Sequence, residues 1–75
     1  MIYQIFIIYN NKTLVIKCDS NDKIEAIIRK IRKKTNITHT NIYLTYNSKH
    51  LLGNESISYY NIGNNSTLYL NFRFN

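Results

Sequence analysis

Residues 3–36 read YQIFIIYNNKTLVIKCDSNDKIEAIIRKIRKKTN, and a change of hydrophobic period inside this stretch decides the fold. From Tyr3 to Tyr9 the residues are mostly β-branched or aromatic, with Tyr3, Ile5 and Ile7 on one face and Gln4, Phe6 and Ile8 on the other. Asn10-Asn11-Lys12 is turn chemistry because asparagine tolerates positive φ, and Thr13 to Cys18 alternates again with Leu14, Ile16 and Cys18 together. These two runs predict a β-hairpin. After the polar break Asp19-Ser20-Asn21, Asp22 can accept a hydrogen bond from a free amide of the next turn, with Glu25 three residues on in the manner of a capping box. Ile24, Ile27, Ile28 and Ile31 then recur at helical spacing and can line one face of a helix packed on the sheet. Asn36 suits a left-handed C-cap.

Working outward, Asn41 to Tyr46 predicts a third strand and His50 to Leu52 a short fourth, separated by the turn-like Asn47-Ser48-Lys49. An irregular connection follows. Thr67 to Phe74 sets Leu68, Leu70, Phe72 and Phe74 against Tyr69, Asn71 and Arg73, a last strand with one apolar face. The order β-β-α-β-β-β describes an α+β domain in which one helix crosses a mixed sheet of four to five strands.

At 75 residues, without proline and with two glycines, the chain has room for a single domain over residues 1–75 and no linker. A chain this short buries only about 60% of the surface its unfolded form exposes, so a few apolar side chains must form the core and no deep enzyme pocket is expected. No run reaches membrane-spanning length, and the N-terminal apolar stretch lacks a basic leader and a small-residue cleavage site. Five Asn-x-Ser/Thr sequons, at Asn11, Asn36, Asn54, Asn64 and Asn65, would matter only in a secreted chain. A lone Cys18 with His39 and His50 gives neither a disulfide nor zinc-ligand spacing. These features predict a cytoplasmic or nuclear monomer that is not secreted, without a metal or cofactor. Cys18 points inward on its strand, neither histidine is marked as its base, and no carboxylate pair stands out among Asp19, Asp22, Glu25 and Glu55, so no enzyme is expected.

The residues also carry a resemblance. Gln4-Ile5-Phe6, Lys12-Thr13, Asp22-x-Ile24-Glu25, Lys30-Ile31, Ile37, Leu44, Lys49-x-Leu51, Ser58-x-Tyr60-Asn61-Ile62, Ser66-Thr67-Leu68-x-Leu70 and Arg73 resemble the ubiquitin family in order and in spacing. The likeness runs from Gln4 to Arg73, with an additional Met1-Ile2 at the start and one residue fewer in the first turn. It implies the ubiquitin-like β-grasp fold and a loop anchored by the Tyr60 hydroxyl. Resemblance and alternation together predict a core of Tyr3, Ile5, Ile7, Leu14, Ile16, Cys18, Ile24, Ile27, Ile31, Leu44, Tyr46, Leu51, Ile57, Ile62, Leu68 and Leu70.

The family's main recognition patch, three aliphatic residues and a histidine, is implied to fall at Asn10, Thr45, Asn71 and Tyr69. Amides and a hydroxyl there remove apolar burial, so ordinary ubiquitin receptors are expected to bind poorly. A second family surface falls at Ile37, Phe72 and Phe74, where rings favour contact and place a partner near Phe74. A third falls at Gln4, Phe6 and Thr13. Lys12, Lys30, Lys34 and Lys49 match the family's acceptor lysines, and Arg73 its tail arginine. Conjugation in this family needs a terminal Gly-Gly, whereas the sequence here ends Phe74-Asn75, so conjugation of the chain as written is not expected. The net charge of +6 and the basic run Arg29, Lys30, Arg32, Lys33 and Lys34 near the helix end suit the helix dipole. The expected function is a non-covalent protein-binding module or decoy in a ubiquitin-type pathway, with a protein partner from that system. The alternatives are a covalent modifier matured from a longer precursor and a basic nucleic-acid-binding module, although no nucleic-acid motif is present.

Overall fold

The computed structural model describes residues 2–73. Strands β1 (Ile2–Tyr9) and β2 (Lys12–Asp19) form an antiparallel hairpin in which Tyr9 faces Lys12. Only Asn10 and Asn11 make the turn, both with positive φ, 46° and 60°. Two successive left-handed residues give the mirror-image turn whose twist matches that of the strands, which is why Lys12 joins β2 instead of the turn expected to include it.

Helix α1 (Ile24–Thr35) begins differently from the expectation. Its N-cap is Lys23, with no side-chain hydrogen bond. The Asp22 carboxylate turns back and accepts from the Asp19 amide at 2.9 Å, closing the exit from β2. The first helical amides donate instead to the segment after β4, Ile24 N to Glu55 O at 2.9 Å and Glu25 N to Gly53 O at 3.0 Å. Loop carbonyls thus satisfy groups that a capping side chain would otherwise serve. At the other end Asn36 is left-handed (φ 58°, ψ 23°) and its amide donates to Arg32 O, as the sequence indicated.

Strand β3 (Ile42–Tyr46) pairs with the two-residue β4 (Lys49–His50) across a second turn with positive φ, at Asn47 and Ser48. The short strand therefore starts one residue earlier than predicted. Leu51, whose amide donates to Leu44 O, has left the strand and is buried. A 3-10 turn at Ser58–Tyr60 precedes β5 (Thr67–Phe72). Strand β5 runs parallel to β1 and antiparallel to β3, giving a mixed five-stranded sheet in the order β2-β1-β5-β3-β4. The fold is the β-grasp expected; β5 ends at Phe72, so Arg73, predicted within the strand, falls just beyond it, and Phe74 lies outside the described residues.

The core lies between α1 and the inner face of the sheet. Ile5 and Ile7 of β1, Ile16 and Cys18 of β2, Leu44 of β3, and Leu68 and Leu70 of β5 meet Ile24, Ile27 and Ile31 of the helix. Leu51, Ile57 and Ile62 close the open end. Each fully buried aliphatic side chain contributes about 1.5–3 kcal/mol relative to exposure. Tyr3, Leu14 and Tyr46, expected in the core, are half-buried against its rim. The Tyr60 hydroxyl accepts the Leu52 amide at 2.7 Å and ties down the irregular segment between β4 and β5.

Candidate functional site

Because α1 covers one face of the sheet, the strand registers determine what the other face presents. Phe6 stands between Val15 of β2 and Thr67 of β5, and Ile8 between Thr13 and Tyr69. Tyr69 in turn faces Thr45 of β3, and Thr45 faces His50 of β4. Phe6 and Ile8 are half-buried at the centre, with Val15 39% and Tyr69 51% exposed beside them. This aliphatic and aromatic strip is uncovered along β2, β1 and β5.

The positions implied as the main patch fall along the same face. Asn71 Nδ2 donates to Thr45 Oγ1 at 3.2 Å and to the Tyr69 carbonyl at 3.2 Å, so two of them satisfy each other. Asn10 is exposed in the first turn. The structure therefore brings Thr45, Tyr69 and Asn71 together as a polar, self-bonded neighbour of the apolar strip.

Ile37 and Phe72 are half-buried against the core, and Phe72 meets the His39 ring edge-to-face at 5.5 Å. Phe74, the third member of that surface, lies outside the described residues. Gln4 is tied to the loop before β5: its backbone amide donates to Asn64 Oδ1 at 2.8 Å and its carbonyl accepts from Asn65 N at 2.6 Å. Phe6 and Thr13 sit on the outer face, Thr13 opposite Ile8. Arg73 lays its guanidinium over the Tyr43 ring at 5.1 Å, while its carbonyl is 3.0 Å from His39 Nε2.

The cations separate into distinct roles. Arg32 donates to the carbonyls of Ile37 (3.3 Å), His39 (2.9 Å) and Thr40 (3.1 Å), holding the chain between α1 and β3. Lys30 Nζ donates to Lys17 O at 2.8 Å and lies 3.5 Å from Asp22 Oδ2, and Lys34 Nζ donates to Val15 O at 2.7 Å. Arg29 and Lys33 are exposed on the helix, as are Lys12 and Lys49 elsewhere. Lys49 Nζ stands 5.7 Å above the Tyr60 ring.

Cys18 is buried, and desolvation, with Asp22 nearby, raises its thiol above the ordinary value of 9.0. A protonated, inward thiol is a poor nucleophile. Among the described residues no cluster of His, Cys, Asp and Glu could hold a metal ion. Nor is any helix long and apolar enough to cross a membrane.

Sequence reasoning placed Phe6 and Ile8 outward but missed their grouping with Val15 and Tyr69. The signal for Val15 was local, in the hairpin register, whereas Tyr69 needed the parallel pairing of β1 with β5. It also missed the two lysines bonded to the edge of β2. Set against models of known families, the chain matches the one described as the ubiquitin family over residues 5–75. No curated protein matches it significantly.

Proposed function

The chain belongs to the ubiquitin family, and from that premise we propose that it acts as a non-covalent protein-binding module or decoy in a ubiquitin-type pathway. Ubiquitin-like domains are in general non-enzymatic modules that bind proteins. The observation that carries the reading is the uncovered strip of Phe6, Ile8, Val15 and Tyr69 beside the self-bonded pair Thr45 and Asn71. An apolar strip with an exposed aromatic, Tyr69, beside its centre is what partners dehydrate on binding, and tyrosine is a favoured anchor. The polar pair at the family's usual patch offers no such gain, so the contact moves toward β1 and β2. A receptor that demands aliphatic side chains at Thr45 and Asn71 is excluded, and a partner that reads the displaced strip is selected.

The test is capture of partners from cell extract on the immobilised chain, repeated with Ile8→Asp, Tyr69→Ala and Thr45→Ala after each variant is shown to fold. Capture is expected to fail with Ile8→Asp, to weaken severalfold with Tyr69→Ala and to survive Thr45→Ala. The partner should be released by denaturant alone. A species that keeps the chain attached through boiling in detergent, or that forms a thiol-sensitive adduct with an activating enzyme and ATP, would instead identify a covalent modifier. If Thr45→Ala abolishes capture while Ile8→Asp leaves it intact, the usual patch is the site.

A further inference from the structure

The outer face of the sheet carries a second group of rings, at the edge away from β2. Leu44 is buried, so its neighbour Tyr43 points outward, and His50 of β4 stands opposite Thr45 on the same face. The Tyr43 and His50 rings lie 4.6 Å apart between centroids at an interplanar angle of 38°, and the Arg73 guanidinium stands 5.1 Å from the Tyr43 ring. The backbone of Arg73 is held on both sides: its amide donates to Asn41 O at 2.8 Å and its carbonyl is 3.0 Å from His39 Nε2. Arginine, tyrosine and histidine thus form a short π ladder. A cavity of about 180 Å³ opens along it, lined by Thr40, Asn41, Ile42, Tyr43, His50 and Arg73.

We propose that this ladder is a binding site for single-stranded nucleic acid, in which one base stacks in the cavity and the flanking phosphates meet Arg73 and Lys49. The inference goes beyond the protein-binding reading and does not depend on it. A nucleotide joins a flat π face, which Tyr43 and His50 match, to an anionic linker, which needs cations. Stacking engages the face of the Arg73 guanidinium and leaves its in-plane N–H groups for a phosphate oxygen. Lys49, exposed and next to His50 on β4, supplies a second cation. The Thr40 hydroxyl and the exposed Asn41 amide can meet the polar edge of the base. The acidic side chains lie elsewhere. Asp19 and Asp22 close the exit from β2, Glu25 is in the first turn of α1, and Glu55 is in the loop bonded to that turn. None of them lines the cavity, so in a chain of net charge +6 nothing at the site repels a phosphate.

Other occupants fit less well. A duplex keeps its bases stacked inside and leaves Tyr43 and His50 unused. An acidic peptide satisfies the cations but brings a ring only where it carries an aromatic residue. A second copy would oppose the same cations across the contact, where like charges are unfavourable.

The test is fluorescence anisotropy and NMR of the full, isotopically labelled chain with single-stranded hexaadenylate, in ribonucleotide and deoxyribonucleotide forms. Both should bind, because rings and phosphates are common to them, with shift changes at Asn41, Tyr43, His50 and Arg73 and with affinity falling as salt rises. Tyr43→Ala should weaken binding about tenfold, and Tyr43→Phe, which keeps the ring, should retain most of it. His50→Ala, at an exposed position that puts folding at no risk, should weaken it severalfold. Arg73→Lys, which keeps the charge and loses the plane, should bind more weakly than the parent and more tightly than Arg73→Gln. Lys33→Gln removes an equal charge from α1 and should change affinity far less than Arg73→Gln. The proposal fails if an RNA duplex binds as tightly as the single strand, if shift changes gather at Arg29, Lys33 and Lys34 instead, or if Tyr43→Ala and His50→Ala both leave affinity unchanged. It fails equally if a phosphotyrosine peptide perturbs the ladder and neither hexamer does.

Discussion

Among the described residues, those with positive φ other than glycine are Asn10, Asn11, Asn36, Asn47, Ser48, Asn61 and Asn65, and neither glycine has a positive φ. Asparagine does in this chain what glycine commonly does elsewhere, because its short amide reduces the penalty of the left-handed region. Replacing Asn11 by Val should therefore cost about 1–2 kcal/mol, and replacing it by Gly should be neutral or slightly stabilising, both read from urea unfolding midpoints. The αL cap at Asn36 was legible in the sequence because an amide after a basic helical turn has few other uses. The choice of Asn10 and Asn11, without Lys12, was not legible, since local chemistry favours any of the three positions and only the pairing of Tyr9 with Lys12 decides. Asp22 misled for a related reason: a carboxylate can accept from any nearby amide, and that of Asp19 was closer in the fold than the helix.

At the scale of elements, apolar spacing revealed what faces inward, because burial is a property each strand and helix carries in its own period. All the buried core residues are among those expected from that period and the family resemblance. The outer strip was only half legible. Outward Phe6 and Ile8 follow from alternation, but their approach to Tyr69 depends on pairing two strands from opposite ends of the chain. Cations on α1 look interchangeable in sequence, and the structure separates them. Arg32 bridges three carbonyls of the connection to β3, which no single lysine ammonium could span in the same plane. Arg32→Gln should thus lower stability by about 1–3 kcal/mol in chemical denaturation, and Arg32→Lys should recover little of it. Lys33→Gln, at an exposed position, should stay within about 0.5 kcal/mol.

For the whole molecule the dominant electrostatic fact is the imbalance of ten Lys and Arg against four Asp and Glu. Self-repulsion of a net positive chain opposes compaction, and here few carboxylates offset it. Salt should accordingly stabilise the fold: raising sodium chloride from low to moderate concentration at neutral pH should lift the melting temperature, by about 4–8 °C for each kcal/mol of repulsion relieved. Stability should also fall at both ends of the pH scale. The Asn21 amide donates to Asp19 Oδ1 at 2.9 Å and holds that carboxyl below its ordinary value. A depressed folded pKa means that the contribution is present above the unfolded value near 3.8 and is lost as pH drops through the folded one. Cys18 acts in the opposite direction. Its thiol is raised in the fold, so its contribution is complete below 9.0, where the unfolded thiol begins to ionise, and is lost as pH climbs through the folded value. Cys18→Ala should flatten the alkaline fall while costing stability at neutral pH through the cavity it leaves. Asp19→Asn should flatten the acidic fall and, by removing one of the carboxylates that raise the Cys18 thiol, slightly reduce the alkaline one as well. Calorimetric melting across pH for the three proteins checks both signs, and an alkaline fall unchanged by Cys18→Ala would show that the thiol does not cause it.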